Sequence, residues 1–348
     1  MTVAAAASLG GAYWESNRAM DDRNLRKLVV SIINYRTGPL TLQCLEAVAA
    51  DCATLGQGTA TVEAVVVDNA SGDGSAETIQ ERISAGTLGL STQLVLSETN
   101  SGFSGGHNQA IGAVPADFYL LLNSDAMLRP GAIAALLGAA ERHPAAGLLA
   151  PRIEYEDGTV QISCFRFASP LSELIRGAAS GPLTRLLARH EVPLAMPPDP
   201  EEIEWASFAC ILLRGDMVRQ VGLLDDGYFL YFEDAEYCLR AGRAGFRVVY
   251  VPEARVVHLR GRSGPVKTLA RANARLPAYY HASRTRFLYQ AHGRLGLFAA
   301  NAAWMLGRCI AWLRPLGGQR IPPVAPGQWR DLWINFRTPL GDRRAREN

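Results

Sequence analysis

The residues of this sequence with the clearest chemical potential are acidic side chains that directly follow apolar segments. Asp68 follows VVV, Asp125 follows LLLNS, and Asp234 follows the aromatic run YFLYFE. A strand-end carboxylate can accept a hydrogen bond from a base or ribose, or hold a divalent cation between phosphates. A carboxylate beside apolar rings has a raised pKa, which suits a general base. The alternative at all three positions is a structural role at a helix start, by capping or by interaction with the helix dipole.

Two further segments contain residue types that bind phosphate. Residues 100–108 read NSGFSGGHN, and their glycines let the backbone approach a ligand and expose its N–H groups. Their spacing does not match G-x-G-x-x-G, so they do not predict a dinucleotide-binding site. His258 follows the apolar run RVV and precedes Arg260 and Arg262, a combination that can bind a metal or a diphosphate. The alternative for His258 is a structural role.

The elements that must position these residues alternate between β-rich runs and helical stretches. Strands are predicted at 28–33, 62–68, 93–97 and 118–123, and helices near 39–50, 74–85 and 105–113. The alternation predicts an α/β fold with a parallel sheet covered on both faces. Ligand sites in such sheets lie at the carboxyl ends of the strands, where Asp68, Asn100 and Asp125 occur.

The second half of the chain is less regular. Residues 165–204 are rich in proline and are predicted to form an irregular insertion or lid. They are followed by a predicted strand at 208–214 and a helix that begins at Glu233. One strand at 246–251 and a short strand ending at His258 complete this part.

Composition and charge bound the class of protein. The 348 residues are 48% hydrophobic and 20% charged, which is typical of a globular chain. The 6 cysteines form no C-x-x-C pair, which argues against a disulfide scaffold or a zinc site and makes a reducing compartment the default. Residues 1–258 have 19 basic and 30 acidic groups, whereas residues 259–348 have 16 and 3. A basic segment on an acidic body predicts an anionic partner for that segment. No nucleic-acid-binding module is recognisable.

The two ends of the chain differ in character. Residues 1–27 are predicted to be a flexible arm, without the features of a signal peptide. No uncharged apolar run is long enough to span a membrane. The segment from Leu295 to Leu313, flanked by Arg294 and Arg314, resembles a helix that lies in the headgroup region of a membrane. The alternative is a helix packed on the protein core.

In their order and spacing, the motifs resemble those of the family 2 inverting glycosyltransferases, which have the GT-A fold. The segments that carry the resemblance are SIINYR (31–36), VVVDNASGDGS (65–75), NSGFSGGHN (100–108), LLNSDAML (121–128), YFLYFEDAEYCLR (228–240) and VVHLRGRS (256–263). The likeness covers residues 28–290 and is greatest for bacterial rhamnosyltransferases that build cell-wall linkers and O-antigen.

The resemblance implies a GT-A-like α/β fold with a mostly parallel central sheet and a Rossmann-like nucleotide-binding half. Residues 28–264 would form the glycosyltransferase domain, with the nucleotide-sugar in 28–150 and the acceptor in 151–264. Residues 265–348 would form a basic helical C-terminal extension that contacts the membrane.

The resemblance also implies roles for individual residues. Asp234 would be the catalytic base, and Asp125 and His258 would hold Mg²⁺ or Mn²⁺. The donor-binding residues implied are Tyr35, Asp68, Asn100, Asn108, Asn123, Arg284 and Arg286. The sequence departs from the family pattern where Asn123 replaces the first aspartate of the D-x-D motif. Arg36 and Phe208 stand where asparagine and glycine are frequent.

The function implied is transfer of a sugar, best matched by L-rhamnose from dTDP-rhamnose, to a lipid-linked or polysaccharide acceptor of the bacterial cell envelope. The partners implied are the nucleotide-sugar, that acceptor and an anionic membrane surface, with no nucleic acid. The implied location is cytoplasmic, on the inner face of the plasma membrane. The alternatives are a UDP-galactose or UDP-glucose transferase, a nucleotidyltransferase and a non-catalytic sugar-binding subunit. The loop NYRTGP matches a nucleotidyltransferase poorly.

Overall fold

The computed structural model describes residues 25–56, 58–259, 266–318 and 320–341. Most of the predicted N-terminal arm, Arg260, Arg262 and the predicted boundary at residue 264 lie outside these residues.

The strands form one large sheet and one small one. In chain order they are β1 (Arg26–Asn34), β2 (Ala60–Asp68), β3 (Ser91–Leu96), β4 (Phe118–Asn123), β5 (Ala126–Leu128), β6 (Ala146–Glu154), β7 (Cys164–Phe165), β8 (Trp205–Ala206), β9 (Cys210–Arg214) and β10 (Arg247–His258). The large sheet has 8 strands in the order β3-β2-β1-β4-β9-β6-β10-β5, and β7 pairs with β8. Strands β3, β2, β1 and β4 run parallel, as do β6 and β10, whereas β9 runs antiparallel to β4 and β6. The predicted mostly parallel α/β sheet is therefore confirmed.

Helices cover the sheet on both sides. They are α1 (Gly38–Cys52), α2 (Ser75–Ser84), α3 (Gly102–Ala113), α4 (Ala132–Arg142), α5 (Pro170–Ala178), α6 (Gly181–Leu186), α7 (Gly215–Val221), α8 (Glu233–Arg243), α9 (Val266–Arg271), α10 (Ala278–Trp312) and α11 (Gln328–Asp331). Successive residues of β1 enter different cores, because Leu28, Val30 and Ile32 pack on one face and Val29 packs on the other. A strand covered on both faces needs apolar residues at consecutive positions, which explains its unbroken apolar run.

The prediction of an irregular segment at 165–204 is wrong over its middle. Helix α5 begins after Ser169, whose side chain and that of Ser172 form a capping box, and α6 follows it. Helix α5 packs so closely on α10 that a Cβ atom on Gly177 would lie 2.3 Å from the Trp304 carbonyl oxygen. The buried Arg284 guanidinium also lies 2.9 Å from the Glu173 carboxylate across this contact. Long-range packing therefore stabilises a helix that local composition does not indicate.

Two smaller differences concern the strands. The two strands predicted at 246–251 and before His258 are one strand, β10, with a register shift between Val251 and Arg255. No element was predicted for residues 126–154, which form β5, α4 and β6.

Helix α10 is the longest helix of the described residues, at 35 residues, and it is bent. Gly293 interrupts it with φ 70° and ψ −175°. Its first half packs against the segment before α8, and its second half crosses α5. Nowhere in the described residues does a helix combine the length and apolar character needed to cross a membrane.

All 6 cysteines lie in the described residues and are free thiols. Four are buried, Cys52 is partly buried, and Cys309 on α10 is exposed.

Candidate active site

The carboxyl ends of the strands bring the predicted acidic and amide side chains to one edge of the sheet. Asn34, the last residue of β1, lies opposite Asp68, the last residue of β2. Asn123 ends β4, the other neighbour of β1, and Asp125 follows two residues later. His258 ends β10. Residues far apart in the sequence therefore share this edge, as the topology predicts.

Asp68 is held in place by a buried hydrogen-bond network centred on Asn34. The Asn34 Nδ2 atom donates to Asp68 Oδ1 at 2.6 Å and to Ser75 Oγ at 2.7 Å. The Ser71 backbone N–H donates to Asp68 Oδ2 at 3.1 Å, and Thr41 Oγ1 donates back to Asn34 Oδ1 at 3.1 Å. Because buried polar groups are costly when unpaired, this network fixes the orientation of the Asp68 carboxylate.

Tyr35 follows Asn34 directly and is half-buried. The Arg36 guanidinium carbon lies 5.2 Å from the centroid of the Tyr35 ring. Arg36 has a φ of 56°, and its backbone N–H donates to Ser71 Oγ at 3.0 Å. An aromatic ring one residue beyond the Asn34–Asp68 pair can stack on a nucleobase while the carboxylate accepts a hydrogen bond from it.

Asn100 belongs to a second amide network at the next strand ends. The Asn69 Nδ2 atom donates to Asn100 Oδ1 at 3.0 Å, and the Gly102 backbone N–H donates to the same oxygen at 3.0 Å. Asn69 Oδ1 in turn accepts from the Ser101 backbone N–H at 2.9 Å. The network joins the end of β2 to the start of α3, and Asn100 fixes the local backbone there.

Asp125 and His258 meet at a buried position. The Asp125 Oδ1 atom lies 3.3 Å from His258 Nε2, and both side chains are less than one-tenth exposed. Gln161 Nε2 donates to the His258 carbonyl oxygen at 2.9 Å and to the Glu154 carbonyl oxygen at the same distance. A carboxylate oxygen and an imidazole nitrogen this close fit a shared divalent cation such as Mn²⁺. No third His, Cys, Asp or Glu of the described residues joins them as a ligand cluster, so a diphosphate and water would complete such a site.

The three acids at the start of α8 have different environments. Glu236 pairs with Arg240, whose Nε donates to Glu236 Oε1 at 2.6 Å. Glu233 is buried. Its pKa is raised mainly by this burial and further by the neighbouring Asp234 carboxylate. Asp234 is only partly buried, and burial raises its pKa to about 6. A partly accessible carboxylate with a raised pKa is suited to act as a general base.

Backbone hydrogen bonds connect Asp234 to the edge that holds Asp125. The Asp234 carboxylate accepts from the backbone N–H of Ala235 at 2.8 Å, and the nearby backbone of Phe208 opposes the rise in its pKa that burial causes. The next residue, Ala209, accepts at its carbonyl oxygen from the Asn123 backbone N–H at 3.0 Å. The end of β4 and the Asp234 carboxylate are therefore next to two adjacent residues, Ala209 and Phe208, which directly precede β9.

The segment that leads into α8 has an unusual backbone. Tyr231 and Phe232 have φ values of 71° and 69°, a region that side chains other than glycine rarely adopt. The Phe103 backbone N–H donates to the Phe229 carbonyl oxygen at 2.8 Å, which ties the segment to α3. Consecutive left-handed residues beside an acidic site indicate local strain that the surrounding contacts maintain.

Gly102 provides a direct test of this contact. Its φ is +72°, and a Cβ atom there would lie 2.2 Å from the Phe229 carbonyl oxygen. We expect Gly102→Ala to lower the free energy of unfolding by about 1–3 kcal/mol and to lower activity, because the segment before α8 must move. The matched control is Gly112→Ala in the same helix, where a Cβ meets nothing within 4 Å. Urea unfolding of both variants measures the difference, and equal stabilities would contradict the role of this contact.

Three of the predicted donor-binding residues make other contacts. Asn108 accepts from and donates to the backbone of Leu224, at 3.0 and 2.9 Å, so both ends of its amide are used. Arg284 is buried against Glu173, and Arg286 pairs with Asp225 at 2.9 Å. The contacts just described give each of these three residues a structural function. Their donor-binding roles stay predictions. Asn108 and Arg286 both fix the loop before α8.

Sequence reasoning missed three residues that shape the site. Asn34 was included only as part of the SIINYR segment, although it centres the network around Asp68. Gln161 and Glu233 were assigned no role. A single polar residue closing an apolar strand was the available signal for Asn34, whereas the contacts of Gln161 depend on strands far away in the sequence.

Comparison with known sequences places the chain in a family. Residues 29–180 match the family described as glycosyl transferase family 2. The N-acetylglucosaminyl-diphospho-decaprenol L-rhamnosyltransferase of Mycobacterium tuberculosis is 31% identical over 266 residues, which cover 72% of this chain and 81% of that protein. A 57-residue stretch is 42% identical to the rhamnosyltransferase WbbL of Escherichia coli and covers 16% of this chain and 21% of that protein.

Solved structures show the same fold. The mannosyltransferase PcManGT from Pyrobaculum calidifontis, in complex with GDP-Man and Mn²⁺, aligns with a TM-score of 0.50 at 17% identity and covers 96% of this chain and 94% of that one. TarS 1–349 from S. aureus, in complex with UDP-GlcNAc, aligns with a TM-score of 0.51 at 15% identity, covering 91% and 82%. The expected GT-A-like architecture is therefore confirmed.

The family match over residues 29–180 and the relative that is 31% identical over 72% of this chain lead to the same assignment. The chain is a glycosyltransferase and belongs to glycosyltransferase family 2.

Proposed function

We propose that this glycosyltransferase moves an L-rhamnosyl group, with inversion, from dTDP-rhamnose to a lipid-linked acceptor. The observation that supports the proposal is that Asp68 and the Asp125–His258 pair lie at the carboxyl ends of the strands, while the segment before Asp234 is hydrogen-bonded to the start of α3 through the Phe229 carbonyl oxygen. The sugar and the acceptor follow the name of the M. tuberculosis relative, which is a rhamnosyltransferase acting on a diphospho-decaprenol lipid.

In this proposal residues 28–150 bind the donor. Tyr35 stacks on the base, and Asp68 accepts a hydrogen bond from it because the Asn34 network holds its carboxylate in place. Asn100 and Asn123 line the same edge, one beyond β3 and one at the end of β4. The donor therefore lies across the carboxyl ends of the strands.

Asp125 and His258 would hold Mg²⁺ or Mn²⁺. A cation bound there would supply charge neutralisation for the departing nucleoside diphosphate. The two ligands are fixed beforehand, since Gln161 anchors the backbone of His258 and Asp125 precedes β5.

Asp234 accepts the proton of the acceptor hydroxyl as that oxygen attacks the anomeric carbon. A bond forms between the acceptor oxygen and this carbon, while the bond to the diphosphate oxygen breaks and the diphosphate keeps its electron pair. A single displacement from the opposite face inverts the anomeric configuration. The raised pKa of Asp234 makes the carboxylate a better proton acceptor than an exposed aspartate.

Residues 151–264 form the acceptor side in this proposal, and the basic segment from residue 265 holds the enzyme at the inner face of the bacterial plasma membrane. The excess of basic over acidic residues beyond position 258 supports this location, since a lipid-linked acceptor is presented at an anionic surface.

The test is donor-dependent release of nucleoside diphosphate with a polyprenyl-diphosphate-linked N-acetylglucosamine as acceptor. We expect turnover with dTDP-rhamnose that needs Mg²⁺ or Mn²⁺, and little with UDP-glucose or UDP-galactose. Thermal unfolding with dTDP and Mn²⁺ checks donor binding separately, because a ligand at 100 times its Kd stabilises a protein by about 2.7 kcal/mol. Turnover with a UDP-hexose alone would overturn the donor assignment, and pyrophosphate release from a nucleoside triphosphate would overturn the reaction.

A further inference from the structure

The second half of α10 exposes an apolar face. Its outward side chains include Leu295, Met305, Leu306, Trp312 and Leu313, and we call these five residues the α10 apolar face. Leu295 is 85% exposed, Leu306 56% and Trp312 63%. A surface helix of a globular protein normally has polar residues on its solvent side. Large exposed apolar patches mark interaction sites.

The opposite side of the same helix is already packed. Leu297, Ala300, Trp304 and Ala311 are buried, and Gly307 lets α10 approach α5 so closely that a Cβ atom there would lie 2.5 Å from the Leu174 carbonyl oxygen. The protein core therefore does not need the α10 apolar face. The sequence allowed two interpretations of this segment, a helix packed on the protein core and a helix at a membrane surface. Each interpretation describes one side of the helix.

The charges around this face favour an anionic partner. Among the described residues from 266 onwards the one acidic residue is Asp331, which is buried and paired with Arg275 at 2.6 Å. Arg294, Arg320 and Arg330 are exposed in the same region. The exposed charges of this chain segment among the described residues are therefore all positive, which matches a negatively charged surface and opposes self-association through the segment.

We propose that the α10 apolar face inserts into the headgroup region of an anionic bilayer, with the second half of α10 lying along the membrane surface. This inference rests on the proposed function and deepens it. The proposed function gives only the attraction of basic residues to an anionic membrane, whereas this inference names the residues that insert. Trp312 and the neighbouring arginines are residue types that favour the boundary between lipid and water.

The first half of α10 connects this membrane contact to the active site. Ser283 Oγ donates to the Leu230 carbonyl oxygen at 3.1 Å, and Arg286 pairs with Asp225 at 2.9 Å. Both contacts hold the loop that leads into Asp234. Binding of the second half of α10 to the bilayer would therefore hold this loop close to the membrane surface, where a lipid-linked hydroxyl is presented.

The experiment is co-sedimentation of the full chain with vesicles of phosphatidylcholine, with and without phosphatidylglycerol. We expect binding to the anionic vesicles, reduced by about tenfold or more in Leu306→Glu, since the substitution removes apolar contact and adds a repelled charge. The matched control is Leu96→Glu at the end of edge strand β3, where the leucine is 68% exposed. It should bind as the wild-type chain does.

Brominated lipids give a measurement that needs no destabilising variant. They should quench the fluorescence of the wild-type chain, and Trp312→Phe should remove most of that quenching. Equal binding of Leu306→Glu and wild type, or no quenching through Trp312, would overturn the proposal. A dimer that Leu306→Glu dissociates, without any vesicle binding, would assign the face to a second copy and overturn it as well. Retained stabilisation of Leu306→Glu by dTDP and Mn²⁺ shows that its donor site is intact, which separates this test from that of the proposed function.

Discussion

Asp234→Asn is expected to lower kcat by about 10²–10⁴-fold while leaving nucleotide binding unchanged, because the amide cannot accept the proton of the acceptor hydroxyl. The backbone N–H of Ala235, which donates to the carboxylate, can still donate to the amide oxygen. The fold around the residue should therefore persist. Steady-state kinetics with saturating donor measure kcat, and titration with dTDP and Mn²⁺ measures binding.

The pH dependence of the wild-type enzyme tests the same role. Burial raises the pKa of Asp234 to about 6, and only the ionised form can act as a base. We therefore expect kcat to be level above pH 7 and to fall towards tenfold per pH unit below pH about 6, as the carboxylate becomes protonated. In Asp234→Asn this decrease of kcat at low pH should be absent.

A suitable control changes a carboxylate to an amide at a comparable position. Glu77 lies in the first turn of α2 and is exposed, so Glu77→Gln should keep the wild-type rate and pH profile. A near-normal kcat for Asp234→Asn would remove Asp234 from the catalytic role. The same conclusion would follow if Glu77→Gln were equally impaired, since the loss would then not be specific to the site.

Asp125→Ala is the second change with a large expected effect. It should lower kcat/KM by about 10²-fold or more, because metal stabilisation of a departing phosphate contributes several kcal/mol and each 1.36 kcal/mol is tenfold in rate. Stabilisation of the protein by dTDP should also lose its dependence on Mn²⁺. Rates and thermal unfolding measured over a series of Mn²⁺ concentrations check both results.

Loss of a buried aspartate can also act through stability alone. Asp51 is an equally buried aspartate that accepts from the Ile133 backbone N–H at 2.8 Å, away from the strand ends. Asp51→Ala should lower the unfolding temperature yet keep Mn²⁺-dependent stabilisation by dTDP. If Asp125→Ala kept that dependence too, the Asp125–His258 pair would not be the metal site.

The strand ends were predictable from the sequence because they follow a simple physical rule. An unbroken apolar run buried on both faces must end where the chain reaches solvent, and polar residues such as Asp68 and Asn123 mark that point. The helix that begins at Glu233 was predictable for a similar reason, since acidic residues favour a helix start. These local signals predicted where the strands end and where the helix begins.

The remaining features depend on contacts that local sequence does not encode. The amide of Asn108 is satisfied by Leu224, and Arg284 is neutralised by Glu173, each more than 100 residues away. Helix α5 is stabilised by its close packing on α10 rather than by its own composition. The motifs therefore identified side chains that could bind a ligand. The fold determines which of these side chains already use their polar groups in contacts within the protein.

The exposure of Cys309 gives the chain a natural attachment point for a spectroscopic probe. Burial raises the pKa of the thiols of Cys44, Cys164, Cys210 and Cys238, and that of Cys52 to about 11, so they stay protonated and unreactive near neutral pH. A maleimide dye should therefore label position 309 selectively in the native enzyme, without any engineered cysteine. Its colour and lifetime would then report the polarity around the outer helix during turnover.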